Sequence, residues 1–251
     1  MQNNKFADVT IITGKKALAR DVYSITVRCP VKPSCGQFAH LRVRGYALRR
    51  PISICGYDEK SNEMRMVFQI RGEGTRALAE LSVGDSLDII APLGHGFTLL
   101  PNAKRVILVG GGIGTPPMLP LAEYYGTRAV SVNGFANAES VILNEDFVKT
   151  GCKAVICTDD GSRGVHGLVT LPLKEALESG ADAVYACGPK PMLRAVAELS
   201  AAAGVFCEVS LEERMGCGVG ACLVCTCEKS DGSAARVCKD GPVFNASEVK
   251  W

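Results

Sequence analysis

Apolar and polar positions alternate in short runs through the first hundred or so residues: Asp8–Thr13, Val22–Val27, Phe38–Val43, Ile52–Ile54, Met64–Ile70 and Ser86–Ile90. A two-residue period with many β-branched side chains, broken by turn formers, predicts antiparallel strands that close into a small barrel. Thr75–Leu81 is rich in helix formers behind a capping threonine and interrupts the strands as a short helix. From about residue 102 the pattern changes. Apolar runs at Arg105–Val109, Arg128–Val132, Ser140–Leu143, Lys153–Thr158 and Ala183–Cys187 alternate with helical ones at Leu171–Leu177 and Pro191–Leu199. Such alternation predicts a doubly wound parallel sheet with ligands at the strand C-terminal ends. The tail is dense in cysteine and glycine. The expectation is an α+β multidomain chain: an antiparallel β-barrel over 1–101, an α/β nucleotide-binding domain over 102–207, and a small C-terminal domain over 208–251.

Composition narrows the function. With 251 residues, 47% of them hydrophobic, the chain has material for two modest cores. Twenty-eight Lys and Arg face 26 Asp and Glu, a formal charge of +2 without a basic block, which argues against nucleic acid as a partner. The start, Met1–Asp8, lacks the apolar core of a signal peptide, and no apolar run approaches membrane-spanning length. A cytoplasmic location away from the membrane is expected. Of twelve cysteines, those at 29, 35, 55, 152, 157, 187 and 207 are scattered and read as reduced, mostly buried small hydrophobes. His40, His95 and His166 fall in unrelated segments and read as surface or turn positions. No Ser–His–Asp or paired-carboxylate arrangement stands out.

The remaining cysteines form the chemical centre of the chain. Cys217 and Cys222 are separated by four residues, Cys222 and Cys225 by two, and Cys238 follows after twelve more. C-x4-C-x2-C…C is the spacing of plant-type [2Fe–2S] sites. Gly216, Gly218, Gly220 and Ala221 let the main chain wrap closely, so that N–H groups can point at sulfur. Four thiolates also suit structural zinc in a redox-inert binding module, and the residues alone leave that alternative open. Cys227 falls outside the spacing rule.

Three further segments suggest anion binding. Leu48–Cys55 sets Arg50 and Ser53 on an extended segment pinned by Pro51. Gln69–Thr75 is a glycine turn opening a helix, which presents N–H groups to an anion. Gly110–Thr115 joins a buried strand to the next helix as a dinucleotide-type loop. Asn133–Glu139, which should face a ribose, has no arginine for a 2′-phosphate, favouring NAD over NADP.

In that order, Arg50-Pro-Ile-Ser53, Gly72-Glu-Gly-Thr75, Gly110-Gly-Gly-Ile-Gly-Thr-Pro-Pro117 and Cys187-Gly-Pro-Lys-Pro-Met192 resemble the ferredoxin–NADP reductase superfamily. The resemblance implies a flavin domain in which Arg50 meets the FAD pyrophosphate and Ser53 the isoalloxazine N5. Pro51, Ile52, Gly74 and Thr75 would also line FAD, with Val67, Phe68 and Gln69 beside its adenine or ribose. Many members carry an aromatic residue where this chain has Ile52. For NAD the resemblance implies Gly110, Gly111, Gly112, Gly114 and Thr115 in the phosphate loop, with Gly188, Pro189 and Met192 alongside. Cys187 would lie beside the nicotinamide, and Ser53 and Cys187 would be the catalytic pair. Adding the tail, Met215-Gly-Cys-Gly-x-Gly-Ala-Cys-x-x-Cys-x-Cys227 with Val237-Cys-x-Asp-Gly-Pro-Val-Phe244, the chain is similar to electron-transfer subunits of NAD-linked dihydroorotate dehydrogenases. That implies [2Fe–2S] on Cys217, Cys222, Cys225 and Cys238, and a heterotetramer of two such subunits with two FMN-containing catalytic subunits that oxidise dihydroorotate for pyrimidine (UMP) synthesis. Electrons would pass through the cluster and FAD to NAD+. The same layout is shared by flavin/iron–sulfur subunits of sulfide dehydrogenases and NADH-dependent ferredoxin–NADP reductases.

Overall fold

The computed structural model describes residues 5–251. They divide into two compact units: one holds the described part of Met1–Gly96 with Glu212–Cys227 and Ala234–Pro242, the other Phe97–Leu211, Glu228–Ser233 and Val243–Trp251.

The first unit is built on a closed six-stranded antiparallel barrel of β1 (Phe6–Ala19), β2 (Val22–Arg28), β3 (Phe38–Arg42), β4 (Arg50–Asp58), β5 (Glu63–Gln69) and β6 (Ser86–Leu93), in the order β1-β2-β5-β4-β3-β6. Alternate residues point inward: Ile25 and Val27, Ala39 and Leu41, Ile52 and Ile54, Met64 with Met66 and Phe68, and Leu87 with Ile89 fill one core. Each of these side chains larger than alanine contributes roughly 1.5–3 kcal/mol on burial. β1 runs beyond the alternating segment because bulges after Ile12 and Ala17 let Gly14–Lys16 stay paired with β2 although the period is lost. Helix α1 (Glu73–Glu80) follows β5 and buries Gly74 and Leu78.

The second unit is a seven-stranded sheet. β7 (Val106–Gly111), β8 (Ala129–Phe135), β9 (Lys153–Thr158), β10 (Val165–His166), β11 (Ala183–Cys187) and β12 (Phe206–Ser210) run parallel in the order β10-β9-β8-β7-β11-β12. Helices α2 (Leu119–Tyr125), α3 (Asn144–Lys149), α4 (Thr170–Glu178) and α5 (Lys190–Ala202) connect them. In α5, Leu193, Val196, Ala197 and Ser200 recur at helical spacing and form the buried face. The ribbon of β13 (Thr226–Glu228) with β14 (Ala234–Arg236) belongs mostly to the first unit, while β15 (Val243–Asn245) adds to β12 as an antiparallel edge strand of this sheet.

Two segments depart from the sequence reading. Beyond Gly111 the chain makes tight 3-10 turns at Gly112–Gly114 and Pro116–Met118, and α2 begins only at Leu119. An α-helix already running from Gly112 would need the N–H groups of Pro116 and Pro117 as donors in its second turn, and proline has none. Ser140–Leu143 is not a strand: Asn137 Oδ1 accepts the Ser140 N–H at 3.0 Å and folds Ala138–Ser140 into a turn, and Leu143 takes a left-handed φ of 59°. Among the described residues no helix is long and apolar enough to cross a membrane.

Candidate functional site

In the first unit the arginine strand and the glycine turn come together. Pro51 and Ser53 lie outward on β4 while Ile52 points into the barrel core, so Ile52 can offer an outside ligand only main chain. Phe68 likewise sits in the core, where its ring stacks on Tyr23 with centroids 6.0 Å apart, and Val67 is buried between its neighbours on β5. The Arg50 guanidinium lies directly over Gly74: a Cβ there would be 2.1 Å from Arg50 Nη2 and 2.4 Å from Cζ. It also stacks on the Tyr46 ring at 5.4 Å and donates to the Leu48 carbonyl at 2.5 Å. At the start of α1, Thr75 Oγ1 accepts from the N–H groups of Arg71 and Gly72 at 2.9 and 3.2 Å, shaping the turn beneath the arginine. A fixed cation over a helix start with a bare glycine between them is a cradle for a phosphate group, so this surface fits the pyrophosphate of a dinucleotide flavin.

Cys217, Cys222, Cys225 and Cys238 lie in the same unit, and each of these four sulfurs accepts a main-chain N–H. Val219, Ala221 and Cys222 donate to Cys217 Sγ at 3.4, 3.2 and 3.4 Å. Cys217 donates to Cys222 Sγ at 3.3 Å, Gly220 to Cys238 Sγ at 3.1 Å, and Cys238 to Cys225 Sγ at 3.4 Å. Arg236 clamps the two segments, donating to the Gly220 carbonyl at 3.1 Å and pairing with Asp240 at 3.0 Å. Arg236 in turn holds the Asp240 carboxyl below its usual range.

Burial raises the Cys217 thiol, but the N–H groups of Val219, Cys222 and Ala221 together outweigh it and bring it down to about 6. Cys238 is pushed up to about 12, first by burial and then by Cys225 beside it. A metal centre at these sulfurs would therefore displace a proton from Cys238 and supply the positive charge that the amides alone do not.

The side chains pair as Cys217 with Cys222 and Cys225 with Cys238. Among the described residues no three His, Cys, Asp or Glu converge as ligands of one ion. Two sulfur pairs ringed by amides fit a two-iron centre better than a single tetrahedral zinc. Cys222 is exposed and Cys225 and Cys238 are buried, so the site opens to solvent on the Cys222 side, where Val219, Leu223 and Val224 are 41%, 63% and 57% exposed.

His95 and His166 are exposed, in line with their reading as surface positions. His40 is not: it is 0% exposed, and the expectation of a surface or turn residue is corrected. It faces outward from β3, where the sequence pattern puts solvent, but the cysteine loop covers it. A Cβ on Gly218 would lie 2.4 Å from His40 Nδ1, and Gly218 has a left-handed φ of 72°. The carbonyls of Cys217 and Arg49 face the ring, but neither nitrogen makes a well-formed hydrogen bond. Burial and then the nearby Arg49 charge lower its pKa to about 4, so the ring is neutral. No signal in the local sequence marks this position, because its cover comes from the distant tail.

In the second unit the loops after β7, β8, β9 and β11 meet as neighbours. Cys187 lies opposite Gly110 and Phe135 opposite Thr158 in the ladders. A Cβ on Gly114 would be 2.4 Å from the Cys187 carbonyl, so these loops fit only with glycine at the contact. Above them is a cavity of about 420 Å³ with Gly111, Gly112, Pro189 and Met192 in its wall. Gly110, Gly114, Thr115, Cys187 and Gly188 are not part of that wall. Thr115 is fully buried and its Oγ1 lacks a partner, as does Asn133 Oδ1; a Cβ on Gly110 would meet both, at 2.8 and 2.6 Å. The described wall contains one carboxylate, Asp159, and no lysine or arginine. Asp159 is exposed and anchored through its N–H to the Phe135 carbonyl at 3.0 Å.

Residues 212–250 match the model of the iron–sulfur cluster binding domain of dihydroorotate dehydrogenase B. The dihydroorotate dehydrogenase B (NAD+) electron transfer subunit of Bacillus caldolyticus is 42% identical over 251 residues, covering 95% of this chain and 96% of that one. That of Listeria monocytogenes serovar 1/2a is 41% identical over 244 residues, covering 93% and 94%. Among solved structures, a chain of an NADH-dependent reduced ferredoxin–NADP oxidoreductase superposes with a TM-score of 0.87 at 27% identity, covering 100% of this chain and 92% of its own. The ferredoxin reductase in carbazole 1,9a-dioxygenase shares the fold at a TM-score of 0.69 and 18% identity, covering 82% and 68%.

Proposed function

The chain belongs to the electron transfer subunits of dihydroorotate dehydrogenase B (NAD+), and from that premise we propose how its own residues divide the work between a catalytic partner subunit and NAD. When bound, FAD supplies the exchange between one-electron and hydride traffic, and a [2Fe–2S] centre supplies single-electron passage. Cys217, Cys222, Cys225 and Cys238 hold the centre, and the amides of Val219 to Cys222 offset its negative charge. Arg50 pairs with the FAD pyrophosphate over Gly74 and the start of α1. Ser53, outward on β4 and paired with Phe38 in the ladder, borders the flavin ring. Gly111, Gly112, Pro189 and Met192 receive NAD, and Asp159 takes its adenosine ribose hydroxyls while repelling a 2′-phosphate. Cys187 closes β11 beside the nicotinamide, with Gly110, Gly114, Thr115 and Gly188 shaping the loop from behind.

The partner is a flavin-bearing dihydroorotate dehydrogenase subunit, two of each forming the complex. The exposed apolar rim of Val219, Leu223 and Val224 is its landing surface, because a single electron crosses only where the centre is approached closely and this rim borders the exposed Cys222 side. The observation that carries this reading is the array of main-chain N–H groups on four paired cysteine sulfurs in the same unit as the Arg50 cradle. Its test is NAD+ reduction by dihydroorotate, with and without the catalytic subunit, using chain purified anaerobically and assayed for FAD, iron and sulfide. Activity only in the mixture is expected; a chain with neither iron nor sulfide sinks it. The structural likeness to the ferredoxin–NADP oxidoreductase chain supports a second reading with a different partner. Co-purification separates the two.

A further inference from the structure

The outer face of β3 is unusual for an antiparallel strand. Ala39 and Leu41 enter the barrel core, so Phe38, His40 and Arg42 point away from it. Arg42 is exposed as that position predicts, whereas Phe38 is 4% and His40 0% exposed. The cover over His40 is the main chain of the cysteine loop at Gly218, and the carbonyls of Cys217 and Arg49 face its ring as loosely placed acceptors, short of well-formed hydrogen bonds. Across the β3–β4 ladder His40 lies opposite Pro51, with Arg50 next along the strand. The ring thus sits between the strand that carries Arg50 and Ser53 and the loop that carries Cys217 and Cys222.

An apolar side chain would fill this place without burying an N–H, so an imidazole turned toward these carbonyls calls for a polar role. The loop it supports is the one whose amides reach sulfur: Val219, Ala221 and Cys222 donate to Cys217, and Gly220 to Cys238. We propose that His40 is a positioning residue for the cysteine-bound centre, resting on the [2Fe–2S] reading above. Its ring is the floor on which Gly218 turns, and its N–H ties the Cys217 carbonyl when the centre is loaded. Together these hold the amide array on the sulfurs. Hydrogen bonds to sulfur favour the more negative, reduced state of a cluster, so His40 sets the reduction potential without touching the reacting atoms.

The test uses full-length holoprotein, unaltered and as His40→Leu and His40→Gln, purified anaerobically. Iron, sulfide and FAD content are measured first, then the electron paramagnetic resonance spectrum of the reduced centre and its midpoint potential by dye-mediated titration. His40→Leu keeps the volume and loses the N–H. It is expected to retain FAD and shift the reduction equilibrium about tenfold toward the oxidised form, ~59 mV for one electron. The reduced spectrum should change shape as well. His40→Gln, which keeps an N–H, should recover at least half of the shift.

An unaltered potential and spectrum in His40→Leu overturn the proposal, as does an equal shift in both variants. Should His40→Leu lose its iron altogether, the contact is tested from the other side. Gly218→Ala places a Cβ against the ring, and combining it with His40→Ala should cost less than the sum of the two; strict additivity overturns the contact. Absence of iron and sulfide from the unaltered protein overturns the cluster reading before any substitution is made.

Discussion

Gly74→Ala is the sharpest test of the flavin cradle because it separates binding from folding. Gly74 is the second residue of α1, and its φ is not left-handed, so alanine fits the backbone. In a helix, alanine is favoured over glycine by up to ~1 kcal/mol, and stability should hold or rise. The new methyl would stand 2.1–2.4 Å from Arg50 Nη2, Nε and Cζ, where no atom can remain. Those atoms are the far end of a flexible side chain, so Arg50 swings away and the barrel is undisturbed. What is lost is the guanidinium–phosphate bond. Hydrogen bonds to charged groups contribute about 1.5–3 kcal/mol, and at 1.36 kcal/mol per tenfold that weakens FAD roughly 10- to 150-fold. The assay is quenching of flavin fluorescence on titrating apoprotein, with thermal unfolding of the same apoprotein alongside. Arg50→Ala should weaken FAD to a similar degree, and the double variant should be no worse than either. An FAD affinity within twofold of the unaltered chain, at equal stability, would refute the cradle.

Other outcomes follow from the same geometry. Cys225→Ser should lose the centre and Cys227→Ser keep it, as iron and sulfide per chain will show, since Cys225 takes the Cys238 N–H and fits the C-x4-C-x2-C spacing while Cys227 falls outside that spacing. Asp159→Arg replaces the carboxylate of the cavity wall with a cation. The ratio of kcat/KM for NADH over NADPH in a dye-reduction assay should fall at least about tenfold, one charged hydrogen bond's worth; an unchanged ratio removes Asp159 from ribose recognition. Leu223→Asp puts a charge on a residue 63% exposed beside the cysteines. Iron, FAD and dye reduction should be unaffected, while affinity for the catalytic subunit falls roughly 30-fold or more, the scale of an interface hot spot. Unchanged co-migration on gel filtration moves the landing surface elsewhere.

What could be read from the chain beforehand was whatever depends on neighbours in sequence. The barrel strands announce themselves because inward residues such as Met64, Met66 and Phe68 recur at every second place. The cysteine spacing is local too, and so is the run from Val106 into the glycine turn. Features that depend on distant chain were hidden. β15 is only three residues long and pairs with β12 from more than thirty positions away, too short to carry a period of its own. The inward placement of Ile52 was legible from alternation, yet it makes any role for that side chain toward an outside ligand one of main chain only.

His40 shows why a single-strand period can mislead about burial. Alternation on β3 correctly assigns the ring to the outer face, and for a lone barrel the outer face is wet. That assignment contains no information about a loop arriving from residue 212 onward. Once the cysteine loop is laid down, the outer face becomes a second, thin interior with its own requirements: a glycine at 218, because nothing larger clears the ring, and a side chain at 40 that tolerates contact with main-chain carbonyls. Two positions far apart in the chain thus constrain each other. The constraint joins the barrel sheet bearing Arg50 to the loop bearing Cys217, so with a flavin on the one and a metal centre on the other, as proposed above, packing against the buried imidazole helps to fix the spacing between them. For single electrons, whose passage depends steeply on separation, fixing that spacing through rigid packing is a more direct control than any property of either binding segment alone.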